Sequence, residues 1–353
     1  MTHKLPLVLA ILVVASLAAA CSSKSVLNQH QLHTLLQCPC PTLVPQATYP
    51  IPSANTYLGG IATGADHNVW ITEGDADKIA RITESGTVTE YPVEPGGYPA
   101  LIEPGPDGNL WFTDYTLNTI HRVTTSGVIT NFPLPAYDLT NGNLQGIAAG
   151  PDGNMWFAHN GANLIGVMST SGTLLVTYQI PTPNSGVDFI VQGSDGNMWF
   201  GESGMPTNCV FKIGKITMAG VIQEFNIPTP ACNEPTDALG GMTLGADGNV
   251  WFTERFNAKI GRITPGGVIT EFPVPANPVS DTVVRIVSSA DGSLWFTHDQ
   301  LVAPWNTQVG QMDLTGTVIN LWSYPQGALF GATIGPDGSP WFTDQANDWV
   351  LRL

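Results

Sequence analysis

The residues best suited to chemistry recur at one position of a repeated ten-residue string such as GPDGNLWFTD, residues 105–114. The last residue of every copy is an acid or a histidine. These strand-end residues are Glu73, Asp114, His159, Glu202, Glu254, His298 and Asp344. Carboxylates brought together raise one another's pKa or bind a hard cation such as Mg²⁺ or Ca²⁺, and histidines can act as bases. We therefore predict metal ligands at the five acids and candidate bases at His159 and His298.

A structural role for the strand-end residues is the alternative. A polar residue that ends a strand can accept hydrogen bonds from nearby backbone amides and so close its own structural unit. Metal binding and local structure both stay open at this point. Calorimetry with Mg²⁺ and Ca²⁺ on glutamine variants of Glu202 and Glu254 separates them.

The spacing of the strings predicts the elements that position these residues. The tryptophan of each string is Trp70, Trp111, Trp156, Trp199, Trp251, Trp295 or Trp341. Seven copies about 45 residues apart indicate a repeat fold. Each copy predicts a first strand, a two-residue Asp-Gly hairpin turn, a second strand of the Leu-Trp-Phe-Thr type and two further strands. Four antiparallel strands per repeat predict an all-β, seven-bladed β-propeller.

The two ends of the chain complement each other. The last copy stops after its third strand at residues 349–353, whereas residues 48–52 match the end of a fourth strand at residues 271–275. We expect the N-terminal strand to complete the last blade, because ring closure leaves no open sheet edge. Residues 47–353 are therefore predicted to form one propeller domain.

The N-terminus has the pattern of an export signal. A basic start precedes an apolar run over residues 5–17, and small residues lead to Cys21. This pattern predicts a signal peptide over residues 1–20, a lipidated Cys21 and a flexible tether over residues 21–46; ordinary cleavage near Ala20 is the alternative. In both cases the mature protein lies outside the cytoplasm. With a lipid on Cys21, it is a cell-envelope lipoprotein that contacts the membrane only through this anchor.

The net charge limits the possible binding partners, and the cysteine positions suggest a disulfide. The chain has 12 Lys+Arg and 28 Asp+Glu, a formal net charge of −16, which excludes nucleic acid as a partner. An oxidising compartment favours a disulfide between Cys209 and Cys232, which lie in two long loops of one blade. The pairing of Cys38 and Cys40 stays open.

Three further residues are candidates for ligand binding. Asp188 and Arg285 lie on first strands, at positions that are small or apolar in most copies, and Trp305 is a loop aromatic. A buried ion pair or a solvated loop is the alternative for the two charged residues. We expect a monomer whose partner is a small molecule or an envelope protein.

The repeats resemble those of the virginiamycin B lyase family, the streptogramin B lyases. The resemblance lies in the string DGN-x-Trp-Phe-Thr-Glu, in NAKIGRIT at residues 257–264 and in VITEFP at residues 268–273. It implies a seven-bladed propeller that opens a cyclic depsipeptide by elimination, with a histidine base on a first strand and Mg²⁺ held by glutamates. The corresponding first-strand positions are Gly59, Ala100, Gln145, Asp188, Gly240, Val284 and Phe330.

None of these seven residues is histidine. Because an elimination needs a base within hydrogen-bond reach of the proton it removes, we expect a lyase-like propeller without the family's general base. It would bind a ligand or partner at the face of the channel. A metal-dependent carbon–oxygen lyase or lactone hydrolase with a rearranged site, and a scaffold without pocket chemistry, are the alternatives.

Overall fold

The computed structural model describes residues 40–135, 143–204, 211–229, 239–275, 281–300 and 306–353. The predicted signal peptide, the lipidation site Cys21, the cysteines Cys209 and Cys232 and the aromatic residue Trp305 lie outside these ranges. In the described ranges, no helix has the length and hydrophobicity needed to span a membrane.

The described residues form seven four-stranded sheets. The strands of the first half are β1 Ala47–Pro50, β2 Leu58–Thr63, β3 Val69–Glu73, β4 Lys78–Ile82, β5 Val88–Pro92, β6 Pro99–Pro104, β7 Leu110–Asp114, β8 Thr119–Val123, β9 Ile129–Pro133, β10 Leu144–Ala149, β11 Met155–His159, β12 Leu164–Met168, β13 Leu174–Gln179 and β14 Val187–Gln192. Those of the second half are β15 Met198–Glu202, β16 Lys212–Ile216, β17 Ile222–Asn226, β18 Leu239–Leu244, β19 Val250–Glu254, β20 Lys259–Ile263, β21 Ile269–Pro273, β22 Asp281–Ser288, β23 Leu294–Gln300, β24 Asn306–Met312, β25 Val318–Pro325, β26 Leu329–Ile334, β27 Pro340–Asp344 and β28 Trp349–Arg352. Short 3₁₀ helices span Gly74–Ala76 and Arg255–Asn257.

The predicted propeller and its ring closure are confirmed. Six blades are meanders of four consecutive strands, and the seventh has the order β1-β28-β27-β26. Ala47 pairs with Arg352 and Pro50 with Trp349, so the N-terminal strand is the outer strand of the last blade. The ring of Tyr49 stacks on that of Trp341 at 5.0 Å. The start of the chain is therefore held by both backbone pairing and aromatic contact.

The second strand of each blade lies between the two neighbouring blades. In blade two, every residue of β7 is buried, whereas β9 at the periphery is partly exposed. This position explains the adjacent apolar residues of the Leu-Trp-Phe-Thr pattern, because both faces of the strand are covered.

The Asp-Gly turn is longer than the predicted two-residue hairpin. The amide of Gly105 donates to the carbonyl of Asn109 at 2.7 Å, and only Gly108 within the loop has a positive φ, of 76°. This is a three-residue loop that ends in a left-handed glycine. The Oδ1 of Asp107 accepts a hydrogen bond from the Trp111 indole at 3.1 Å, so the aspartate positions the tryptophan of its own string.

A cation links neighbouring blades at the outer edge. The Arg122 guanidinium lies 5.7 Å from the ring centroids of both Trp111 and Phe132, and it donates to the Thr170 carbonyl of the next blade at 2.9 Å. Equivalent contacts to the next blade are made by Arg81, Lys215 and Arg262.

Part of the segment predicted to be a tether packs on the propeller. Thr42 forms a parallel bridge with Ser323 of β25, and the Leu43 amide donates to the Ser323 carbonyl at 2.7 Å. Leu43 is only 8% exposed and belongs to an apolar cluster with Val309 and Leu351. Residues 41–43 are therefore a strap along blade six, because burial of Leu43 stabilises an ordered path.

Candidate functional site at the channel mouth

A bulge in every first strand determines which side chains face the channel. In blade one, Leu58 pairs with Glu73 and Ile61 with Ile71, so two residues of β2 lie opposite Thr72 of β3. The Thr72 Oγ1 accepts from the Gly60 amide at 2.8 Å and donates to the Ala100 carbonyl of blade two at 2.7 Å. The threonine of the Trp-Phe-Thr pattern thus holds the bulge and links it to the next blade.

The bulge brings at least one residue per blade to a common cavity. The same register shift occurs in all seven first strands. The residues at these bulge positions are Gly59, Ala100, Gln145, Asp188, Gly240, Val284 and Phe330, and all of them line a cavity of about 500 Å³. The cavity lies at the end of the channel where the second strands end. The positions at which the family resemblance implies a base thus face the cavity, and none carries an imidazole.

Aromatic rings form one wall of the cavity. Tyr57 lies with its ring centroid 5.8 Å from that of Tyr98 and 6.1 Å from that of Phe330. Tyr98 contacts Tyr115 edge-on at 6.0 Å. Their arrangement offers both ring faces and phenol hydroxyls, which suits a ligand with an aromatic or other planar apolar group.

Arg285 lies between two aromatic rings on the cavity wall. Its guanidinium carbon is 4.3 Å from the Phe330 ring centroid and 4.7 Å from that of Phe189, and its Nη1 donates to the Gly240 carbonyl. Arg255 also lines the cavity. Guanidiniums are chemically suited to anionic or carbonyl-rich groups, and the cavity has two of them in a chain with a net charge of −16.

Asp188 lies on the same cavity but is used in packing. It is 4% exposed, and its carboxylate accepts hydrogen bonds from the side-chain Nδ2 of Asn160 at 3.0 Å and from the Ser203 hydroxyl. Since Asn160 follows β11 and Ser203 follows β15, the carboxylate links blades three and four. The structure places Asp188 and Arg285 on one cavity, and their role as ligand contacts stays a prediction.

The two strand-end aspartates close their own blades. Asp114 accepts hydrogen bonds from the amides of Tyr98 at 3.1 Å and Leu117 at 2.8 Å. Burial alone would raise the pKa of Asp114, but the nearby His121 and these backbone donors hold it below its ordinary value. Asp344 accepts from the Ala328 amide at 3.0 Å and from Asn347 Nδ2 at 2.7 Å.

The three strand-end glutamates are buried beside ion pairs. Among the described residues, neither carboxyl oxygen of Glu202 has a hydrogen-bond partner, and the neighbouring Lys212 contacts Glu224 at 2.6 Å. Burial, followed by the charge of Glu224, raises the pKa of Glu202 to about 8. Burial likewise raises the pKa of Glu73 to about 7 and that of Glu254 to about 8. Protonation spares each of these groups the cost of a buried charge.

Both candidate bases are buried. The His159 Nε2 bonds to the Asn118 Oδ1 of blade two at 2.9 Å, and its Nδ1 accepts from the Ala162 amide at 3.2 Å. These contacts require the neutral ring with its proton on Nε2, and burial lowers its pKa. The His298 Nδ1 contacts the Gln308 Oε1 at 2.8 Å. Their role as bases stays a prediction.

The strand-end residues do not fit one shared metal ion. Over the described ranges, no three histidine, cysteine, aspartate or glutamate side chains come close enough to hold a cation together. The two aspartates are occupied by backbone amides, and Glu73, Glu202 and Glu254 lie in separate blades, each beside a lysine. Binding of Mg²⁺ or Ca²⁺ by individual acids stays a prediction.

Most of the aromatic wall was missed by the sequence analysis. Tyr57, Tyr98 and Tyr115 lie outside the repeated string, although Tyr57 and Tyr98 share one position directly in front of their first strands. Phe330 was considered only as a position without histidine. The available signals were the shared position of Tyr57 and Tyr98 and the register of the first strands, which brings at least one residue per blade to the channel.

Comparisons with known proteins agree with this geometry. The sequence profile of the virginiamycin B lyase family matches residues 44–174 and 138–353. A streptogramin B lyase structure shares 30% identity with a TM-score of 0.74, covering 86% of this chain and 96% of that chain. The selenomethionine-substituted virginiamycin B lyase from Staphylococcus aureus shares 32% identity with a TM-score of 0.73, covering 87% of this chain and 97% of that one.

A third similar structure contains a ligand. It is a catalytically inactive histidine-to-alanine variant of the Staphylococcus aureus enzyme with quinupristin, at 31% identity and a TM-score of 0.72, covering 87% of this chain and 98% of that chain. No curated protein sequence matches the chain significantly. With a profile match across the propeller and these full-length structural matches, the chain belongs to the virginiamycin B lyase family.

Proposed function

We propose that this chain binds a small molecule at the channel mouth and does not open it by the family's elimination. The observation that carries the proposal is the set of bulge positions. All seven face the cavity, yet none supplies a histidine where a base would contact the ligand. The cavity nevertheless keeps binding groups, namely an aromatic wall and the guanidinium of Arg285.

The chemistry of the cavity favours a ligand with aromatic rings and carbonyl groups. Rings can stack on Tyr57, Tyr98 and Phe330, and carbonyl oxygens can accept from guanidinium or phenol donors. A volume of about 500 Å³ is in the range of small-molecule sites. Quinupristin, which is present in a similar structure, is therefore the first ligand to test.

Calorimetry combined with product analysis tests the proposal. Quinupristin is titrated into the full protein with Mg²⁺ and with a chelator, and the mixture is then analysed by mass spectrometry for the ring-opened product. We expect one binding site, no ring-opened product and binding that persists in the chelator. Ring-opened product that requires Mg²⁺ would instead establish the carbon–oxygen lyase, and hydrolysis of a lactone panel would establish the hydrolase.

A pair of matched variants locates the site. Arg285→Gln removes the guanidinium between the two phenyl rings and is expected to weaken binding about tenfold. Arg352→Gln is the control, because Arg352 on β28 pairs with Asp337 of the turn between β26 and β27 and is not part of the cavity lining. Equal weakening by both variants would argue against a site at the channel mouth.

We also propose that the mature protein is exported and carries a lipid on Cys21. The support is the signal-like pattern of residues 1–20. Fractionation tests it: the wild type is expected in the membrane fraction and Cys21→Ala in the soluble fraction. Recovery of both proteins in the soluble fraction would indicate ordinary cleavage near Ala20.

A further inference from the structure

Among the described residues, the residue in front of the first strand adopts a left-handed backbone in blades one, three and four, whereas Tyr98 of blade two and Ala328 of blade seven accept the equivalent bond without a positive φ. The φ angles are 47° at Tyr57, 76° at Asn143 and 64° at Gly186. The positions are equivalent, because each carbonyl accepts a bond from the backbone beyond its second strand. The donors are the amides of Gly74, Asn160 and Ser203 respectively.

Blade one fills this position with an unfavourable residue type. Glycine and asparagine adopt positive φ readily, whereas a bulky residue there is an outlier that strains the backbone. Blades three and four therefore have residues suited to the conformation, and blade one does not. Asparagine or glycine would relieve this strain in blade one, so the contacts of the tyrosine side chain are the feature that distinguishes Tyr57 at this position.

The contacts of the Tyr57 ring indicate what its side chain contributes. Tyr57 is 43% exposed although it contacts Tyr98 and Phe330, and it lines the cavity. A tyrosine used only for packing would be buried. Here one part of the ring is supported by two aromatic neighbours, and the rest is available at the opening. A supported and partly exposed ring is suited to stacking on a ligand.

We infer that Tyr57 is a ligand-contact residue that determines affinity for molecules with an aromatic ring. This inference rests on the proposed binding site at the channel mouth. The Tyr57 ring lines the cavity in contact with both Tyr98 and Phe330. Arg255 and Arg285 on the same cavity extend the preference to aromatic ligands with an anionic group.

An aromatic sulfonate tests the inference without relying on quinupristin. 8-Anilinonaphthalene-1-sulfonate combines fused rings with an anion, and its fluorescence rises in an apolar site. The dye is titrated into the folded full-length wild type, Tyr57→Asn and Tyr57→Phe, with circular dichroism as a check of folding. Asparagine suits the left-handed backbone but lacks the ring, whereas phenylalanine keeps the ring.

We expect one dye site in the wild type and about tenfold weaker binding in Tyr57→Asn, with affinity within about twofold in Tyr57→Phe. Tyr57→Gly, which also suits the backbone, serves if the asparagine variant does not fold. Equal affinity of the wild type and the ring-less variant, or no dye site in the wild type, would overturn the inference.

Quinupristin titrated in parallel separates the two proposals. If the wild type binds the dye through Tyr57 but not quinupristin, the proposed ligand is wrong and the role of Tyr57 stands. If quinupristin binds equally well to the wild type and Tyr57→Asn, and the dye does too, Tyr57 is not a contact residue and the binding site itself stands.

Discussion

Replacement of Glu202 by glutamine should change how stability depends on pH. The carboxyl is buried, neither oxygen has a hydrogen-bond partner within the described part of the chain, and burial raises its pKa from 4.5 to about 8. The folded protein therefore keeps this proton up to about pH 8, whereas the unfolded chain releases it near its ordinary pKa. Between these values the folded state binds more protons, so stability falls as pH rises.

The size of the effect follows from the shift. Each pKa unit corresponds to about 1.4 kcal/mol, and partial relaxation of a buried charge reduces the total, so Glu202 should cost about 2–5 kcal/mol once ionised. Glutamine has nearly the same shape but cannot ionise. The stability of Glu202→Gln relative to the wild type should therefore increase by this amount between about pH 5 and about pH 8.5.

Urea unfolding at several pH values measures this difference. Any constant penalty of the glutamine amide cancels, because only the change with pH is compared. Glu84→Gln, at an exposed position, is the matched control and should follow the wild type at every pH. If Glu202→Gln and the wild type showed the same pH dependence, the carboxyl would not be a buried neutral group and the reasoning would be refuted.

Three further predictions concern the parts that hold the blades together. Arg122→Ala should destabilise the protein by about 1–3 kcal/mol in urea unfolding, since it loses two ring contacts and the bond to the next blade. Unchanged stability would contradict this interblade role. His159→Ala should lower the melting temperature and leave the affinity for quinupristin unchanged. The reason is that the imidazole bonds to Asn118 and to the Ala162 amide, and His159 is not part of the cavity lining. A stable variant with lost affinity would instead support a role of His159 at the site. Leu43→Ala should cost about 1–3 kcal/mol if the strap packs as observed, whereas a free tether predicts no change in unfolding.

The candidate site was only partly predictable. Asp188 and Arg285 stand out because their first-strand positions are small or apolar in most copies. Tyr57, Tyr98 and Tyr115 could not be found in this way, because residues from different loops meet only after the blades assemble. The strand-end residues share a position in the string, yet the second strand lies between neighbouring blades, so their side chains are buried in separate blades.

Sequence alone determined the number of blades, the order of strands and the closure of the ring. These features follow from local patterns, in which strand periodicity, turn residues and a displaced fourth strand repeat along the chain. Only the tertiary structure decided which side chains face the channel. That choice depends on the bulge opposite Thr72 and its equivalents, which brings at least one residue of each first strand to the cavity. It depends also on contacts between blades, which place Leu43 along blade six and Arg285 between Phe189 and Phe330. Such contacts join residues far apart in the chain, and no local pattern encodes them.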